Sequence, residues 1–66
     1  MDILLNGQPR TLDEGTSLHD LLVAEGLHER RLAIEVNLEI IPRAQHADYR
    51  LKPGDRVEIV QAIGGG

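Results

Sequence analysis

The feature that most constrains this chain is its shortness combined with a complete lack of cysteine among its 66 residues. A domain of this size buries only about 60% of the surface that its unfolded chain exposes, and many small domains therefore rely on disulfides or a metal. This sequence can form neither a disulfide nor a zinc site with thiolate ligands. We therefore expect a single domain built around a small core of apolar side chains.

The charge and the aromatic content limit the partners that the chain can bind. The formal charge is −4, and Tyr49 is the one aromatic residue. The sequence has no basic stripe for a phosphate backbone and no aromatic platform for stacked bases. Its apolar runs are far shorter than the roughly 20 residues that span a bilayer, and no secretion signal is seen. We expect a cytoplasmic protein, monomeric when free, that binds neither nucleic acid nor membranes.

The first part of the sequence is typical of a β-hairpin. Residues 2–6 form the first predicted strand, and residues 8–12 form the second. Asn6-Gly7 between them is a strong hairpin signal, because a type I′ turn needs positive φ at both central residues. Pro9 has no backbone N–H, so the second strand is expected at an edge of the sheet.

A helix is predicted to follow. Ser17 and Asp20 have the spacing of a capping box, in which each side chain accepts a hydrogen bond from the other residue's backbone N–H. Gly26 can take the left-handed conformation that ends a helix, and Leu27 can then pack back onto the last turn. The predicted helix of about ten residues has one apolar face, formed by Leu18, Leu21 and Leu22.

The remaining elements complete an α+β domain. Strands are predicted at residues 32–36, 40–41 and 56–63, with a type II turn at residues 52–55. Residues 43–51 have no clear period and are predicted as loop with a short helical turn, which Tyr49 and Leu51 anchor to the core. The order β-β-α-β-β-β predicts a β-grasp, or ubiquitin-like, fold. In that fold a mixed sheet of about five strands carries one main helix across one face.

Three glycines end the chain, and the predicted fold does not need them. Residues 1–63 form the predicted domain, and Gly64, Gly65 and Gly66 form a flexible tail. Three extended residues reach about 10 Å, and a chain without Cβ atoms can pass through a narrow channel. The tail can therefore deliver a bare carboxylate to an enzyme. The alternatives are a remnant of a cut linker and an idle flexible end.

The chain resembles the ThiS family of sulfur carriers in thiamine biosynthesis over its whole length. The resemblance lies in residues 1–7 (MDILLNG), 17–22 (SLHDLL), 36–43 (VNLEIIPR) and 53–66 (PGDRVEIVQAIGGG). It implies that an adenylating enzyme of the ubiquitin-activating type uses ATP to activate the carboxylate of Gly66. A sulfur donor, often a persulfide, then leaves a thiocarboxylate there, and thiazole synthase receives the sulfur.

The resemblance also assigns roles within this sequence. Gly66 is the residue that reacts, and Gly64 and Gly65 are the tail that enters the partner's channel. The chain is then a carrier and not an enzyme, and it binds no cofactor because ATP binds to the partner. A related carrier for molybdopterin or for tRNA thiolation remains open. So do a non-covalent ubiquitin-like interaction module and a modifier that is joined to lysines through Gly66.

A partner-docking surface is predicted beside the tail. Val60 lies on the predicted last strand, on the face opposite the core, and exposed apolar residues near a reactive end are plausible contacts. Leu4, on a neighbouring strand, is predicted to join it. The alternative is that both are isolated apolar residues of the ordinary kind.

The histidines and Ser17 are predicted to have no chemical role. His19, His28 and His46 are scattered through the sequence without the spacing of metal ligands, so no metal site is expected. Ser17 is predicted to cap the helix and not to act as a nucleophile, since the sequence places no base beside it.

Overall fold

The computed structural model describes residues 1–61, which form one mixed five-stranded sheet with a single α-helix. The strands are β1 (Asp2–Leu5), β2 (Gln8–Thr11), β3 (Leu32–Val36), β4 (Glu39–Ile40) and β5 (Arg56–Gln61), and the helix is α1 (Leu18–Ala24). The order of strands across the sheet is β2-β1-β5-β3-β4. The α+β, β-grasp fold predicted from the sequence is confirmed. Residues 62–63 of the predicted last strand and the whole glycine tail lie outside the described residues.

The N-terminal hairpin has the predicted turn. Asn6 and Gly7 have φ values of 50° and 81°, as the type I′ turn requires. β2 pairs with β1 alone, so Pro9 does lie on an edge strand, where its missing N–H costs no ladder hydrogen bond.

Helix α1 begins and ends with the predicted motifs, but it is shorter than expected. The Ser17 hydroxyl accepts from the Asp20 N–H at 3.0 Å, and the Asp20 carboxylate accepts from the Ser17 N–H at 3.4 Å. At the other end Gly26 has φ 73°, and the N–H of Leu27 donates to the Leu22 carbonyl at 2.9 Å. This Schellman closure ends the helix after seven residues, where about ten were predicted.

Strand β4 is displaced by one residue from its predicted position at residues 40–41. The turn at Asn37 and Leu38 has φ values of 52° and 71°, and this tight reversal lets Glu39 pair with Val36 at once. Ile41 follows the strand and is buried. A 3₁₀ turn, Arg43–Gln45, then confirms the short helical turn predicted in this loop.

The two predicted anchors of this loop both contact the core. Leu51 is buried, and the half-buried Tyr49 packs against the core cluster. Burial raises the pKa of the Tyr49 phenol above its ordinary value of 10.0, and the nearby carboxylates of Asp55 and Glu39 add to the rise. Tyr49 therefore contributes to the fold as a neutral side chain.

The core lies between α1 and one face of the sheet. All three leucines of the predicted apolar helix face are buried, and they pack against side chains from β1, β3 and β5. The buried strand residues are Ile3, Leu5, Ile34, Val36 and Val57. Side chains alternate along a strand, so the strand residues that adjoin these buried positions point away from the core. We call this side of the sheet the outer face.

The turn before β5 offers a test of backbone conformation alone. Gly54 has φ 84° in the predicted type II turn, and a Cβ added there meets nothing within 4 Å. We expect Gly54→Ala to lower the free energy of unfolding by about 1 kcal/mol, because a left-handed conformation is costly for alanine. Gly54→Asn should cost less, since asparagine tolerates this conformation. Urea denaturation measures both changes, and equal stability of Gly54→Ala and the parent would contradict the reason given.

Candidate functional site

The strand that leads to the glycine tail lies at the centre of the sheet. β5 pairs in parallel with β1 through Leu4 and Leu5, and its residues from Val57 to Gln61 pair antiparallel with all of β3. The Asn6 side chain extends the contact with the first hairpin, because its Oδ1 accepts from the Ile59 N–H at 2.8 Å. The start of β5 is therefore held by strands on both sides, whereas its end at Val60 and Gln61 pairs with β3 alone.

Val60 is exposed on the outer face, as the sequence predicted, with 56% of its surface accessible. It pairs with Ala33 of β3, which is also exposed, so the two side chains are neighbours across the strands. Ile40 of β4 adds a third apolar side chain, exposed to 69%. Its cross-strand partner is Glu35, one row further from the tail.

Two acidic side chains lie in the same row as Ile40, beside the row that Ala33 and Val60 form. Glu35 of β3 and Glu58 of β5 are direct cross-strand partners, so two like charges face each other on the outer face. Such a pair is destabilising, and a cationic group from a partner would relieve it. Arg56 precedes Glu58 by two residues on the same face, but it forms no ion pair with either glutamate within the described residues. We call Ala33, Ile40 and Val60, with Glu35 and Glu58, the outer patch.

Leu4 occupies a different part of this face from Val60. It is half-buried, and its partners are Pro9 on β2 and Arg56 on β5. Arg56 precedes Val60 by four residues, which is about 13 Å along a strand. The register therefore does not bring Leu4 beside Val60. A role in docking stays a prediction for both residues.

The sequence prediction missed Ala33 and Ile40 as members of the patch. Only the strand register reveals that Ala33 faces Val60 and that Ile40 faces Glu35, and a period of two along each strand does not give that register. Gly64, Gly65 and Gly66, the residues predicted to react and to enter a partner, lie outside the described residues.

The three histidines, which are distant from one another in sequence, lie together in the fold. His19, His28 and His46 line one pocket between α1, the loop after it and the 3₁₀ turn. Within residues 1–61 no group of three or more histidine, aspartate or glutamate side chains is placed to hold a metal ion. No helix in this part of the chain is long and apolar enough to cross a membrane.

Comparison with known proteins supports the carrier interpretation. The chain is 33% identical to the sulfur carrier protein ThiS of Escherichia coli, and each protein is covered over 100% of its length. The crystal structure of a thiamine biosynthesis protein, ThiS, from Geobacter metallireducens superposes with a TM-score of 0.85. The two sequences are 32% identical, again with full coverage of both chains.

A further relative is a larger protein. The chain is 38% identical, over all of its 66 residues, to a thiazole synthase of Paramagnetospirillum magneticum. It covers only 20% of that protein, and the same share of a second thiazole synthase, from Magnetococcus marinus. The chain thus spans about a fifth of the length of these two curated relatives.

The mixed sheet and the single helix across it define a ubiquitin-like β-grasp domain. The model of the ThiS family matches residues 3–66. The chain belongs to the ThiS family. The resemblance to this family that the sequence predicted is therefore confirmed.

Proposed function

We propose that the chain carries sulfur as a thiocarboxylate on Gly66 and donates it for the formation of the thiazole ring of thiamine. The observation that carries the proposal is the position of β5, which is held by β1 and β3 and runs directly into Ala62-Ile63-Gly64-Gly65-Gly66. The three glycines have no side chains, so a segment of this composition can pass through a narrow channel to the active site of another protein.

The chemistry requires activation by a partner. A carboxylate is a poor electrophile, so an adenylating enzyme of the ubiquitin-activating type joins it to AMP from ATP and releases pyrophosphate. The terminal sulfur of a persulfide then attacks the acyl carbon, and AMP leaves. A thiol cleaves the resulting S–S bond, which leaves the thiocarboxylate on Gly66 and a disulfide on the donor side.

The lack of cysteine is consistent with this scheme, since the chain has no thiol of its own to hold sulfur or to compete for the activated carbonyl. ATP is bound by the activating partner in this proposal. The cytoplasm is the proposed location, because persulfides and thiols persist in a reducing compartment.

Thiazole synthase is the proposed acceptor of the sulfur. Segments similar to this chain occur within proteins named thiazole synthase, which supports a functional link between carrier and synthase. The acceptor must admit the glycine tail while it contacts the body.

We propose that the outer patch makes the contact with the activating enzyme, because it combines exposed apolar area with two unrelieved acidic groups.

Val60→Asp tests the outer patch. The change removes an exposed apolar contact and adds a third negative charge near Glu58. We expect the affinity for the activating enzyme to fall about tenfold or more, as at a central interface residue. Titration calorimetry measures this affinity.

Val23→Asp provides the matched control for this test. Val23 is similarly exposed, at 47%, but it lies on α1, away from the outer face. The control should bind the activating enzyme like the parent, and circular dichroism should show that both variants are folded. Unchanged affinity of Val60→Asp would remove Val60 from the interface.

The intact mass of the protein from its native host tests the function itself. A fraction with one oxygen replaced by sulfur, which increases under sulfur-replete growth, is the expected result. An unmodified mass under both sulfur-limited and sulfur-replete growth would instead favour a non-covalent module, and conjugates with larger proteins would favour a lysine modifier. A deletion strain should require thiamine. A defect in molybdopterin or in tRNA thiolation would instead indicate that the sulfur is used in another pathway.

A further inference from the structure

A small pocket on the helical side of the domain collects cationic and hydrogen-bond-donating side chains. It lies between the start of α1, the loop after α1 and the 3₁₀ turn. Its polar lining consists of His19, His28, Arg30, Arg43 and His46. These include every histidine in the sequence and two of its seven lysines and arginines.

The charge of this pocket is opposite to that of the whole chain. The chain has a formal charge of −4, yet no aspartate or glutamate is among the described residues that line the pocket. The nearest acid in sequence to His19 is Asp20, whose carboxylate accepts from the Ser17 N–H in the capping box. Arg30 and Arg43 form no ion pair within residues 1–61, whereas Arg10 is paired with Glu25.

The orientation of His46 is fixed by the fold. Its ring is buried, and Nε2 lies 2.9 Å from the carbonyl oxygen of Ile41. A carbonyl only accepts, so Nε2 carries the proton and donates it. The His19 backbone N–H in turn donates to the His46 carbonyl at 3.2 Å, which ties the 3₁₀ turn to the start of α1. The His19 and His28 rings meet edge to face, with centroids 6.4 Å apart.

The size and the lining of the pocket suit a small oxyanion. The cavity volume is about 110 Å³, well below the roughly 300–1,000 Å³ of pockets for drug-sized ligands. Guanidinium groups match the geometry of phosphate oxygens, and imidazole N–H groups add further donors. Leu22 and Leu32 form apolar walls, which exclude water from one side and strengthen these contacts.

We propose that this pocket binds an oxyanion of the phosphate class through Arg30 and Arg43, with His19 and His28 as additional donors. The proposal does not depend on sulfur chemistry at Gly66. The pocket is at the tail-bearing end of the sheet, since Leu32 pairs with Gln61 at the end of β5. A bound oxyanion would therefore lie on the helical side of this end, while the outer patch lies on the opposite face.

The test is a titration of the ¹⁵N-labelled chain with inorganic phosphate, followed by NMR at constant pH and ionic strength. We expect saturable shifts of the backbone signals of His19, His28 and Arg30. The double variant Arg30→Gln/Arg43→Gln should bind at least about tenfold more weakly, because it loses two charge-assisted contacts. Arg50→Gln is the matched control, since Arg50 is an exposed arginine outside the pocket that donates to the Gly15 carbonyl.

The source of the oxyanion is decided by parallel titrations with pyrophosphate and with AMP. Tighter binding of phosphate or pyrophosphate identifies a free ion as the ligand, and tighter binding of AMP identifies a phosphate monoester. Shifts that do not saturate, that chloride reproduces at the same ionic strength, or that Arg50→Gln weakens as much as the double variant would each overturn the proposal. A well-dispersed spectrum of the double variant excludes unfolding as the cause of weaker binding.

Discussion

Removal of Gly66 is expected to abolish loading by the activating enzyme, with a loss of at least about a hundredfold in the rate of ATP–pyrophosphate exchange. The shortened chain still ends in a glycine carboxylate, so the chemistry of the terminal group is unchanged. The reach of the tail does change, because one extended residue contributes about 3.5 Å. Reacting atoms must approach to about 3–3.5 Å, and misplacement by even 1 Å is costly.

The shortened chain also carries its own control for folding. All of the described sheet and helix lie within residues 1–61, so its thermal unfolding should match that of the parent. Its affinity for the activating enzyme should fall much less than its rate, provided that the outer patch supplies most of the contact. An unchanged exchange rate would show that the terminal residue is not the one activated.

Leu21→Ala is expected to lower the free energy of unfolding by about 2–5 kcal/mol. Leu21 is 1% exposed, on the face of α1 that packs against β1, β3 and β5. Cores of domains this small supply only about 3–5 kcal/mol of net stability, so a large fraction of the variant should be unfolded at 25 °C. Urea denaturation followed by circular dichroism measures the change.

Val23→Ala is the matched control on the same helix. Val23 is 47% exposed, and alanine is the better helix former. Loss of the valine side chain should therefore change the free energy of unfolding by no more than about 0.5 kcal/mol. Equal stability of Leu21→Ala and Val23→Ala would contradict the packing of this face of α1 against the sheet.

The elements that could be predicted from the sequence are those with local causes. Asn6-Gly7 specifies its hairpin because few residue pairs accept positive φ twice. Ser17 and Asp20 satisfy each other's backbone within four residues, and Gly26 closes the helix in the same local way. Each of these motifs involves only a few consecutive residues, so it can be predicted without the tertiary structure.

Two features of the fold could not be predicted from the sequence. β4 was placed one residue too late, because the reversal at Asn37 and Leu38 uses positive φ at a leucine, which no propensity indicates. Leu4 and Val60 both face outward, as predicted, and their common role in docking stays a prediction. Their separation depends on the parallel register between β1 and β5, which the alternation along either strand does not contain.

The pocket of histidines shows the same limit. Residues 19, 28 and 46 belong to three separate segments, and each taken alone reads as an ordinary surface or loop position. The packing of the 3₁₀ turn against α1 brings them together, and that packing is a product of the complete fold. The spacing of the three histidines in the sequence therefore could not reveal this arrangement of donors for an anion.

The central position of β5 has a consequence for biosynthesis. The strand that separates the N-terminal hairpin from β3 is the last of the elements within residues 1–61 to be translated. While the ribosome still encloses it, the hairpin and β3 have no partner between them, and the buried faces of both remain open to water or to chaperones. Folding of this domain must therefore wait until β5 itself has left the exit tunnel, after every other described element has been synthesised.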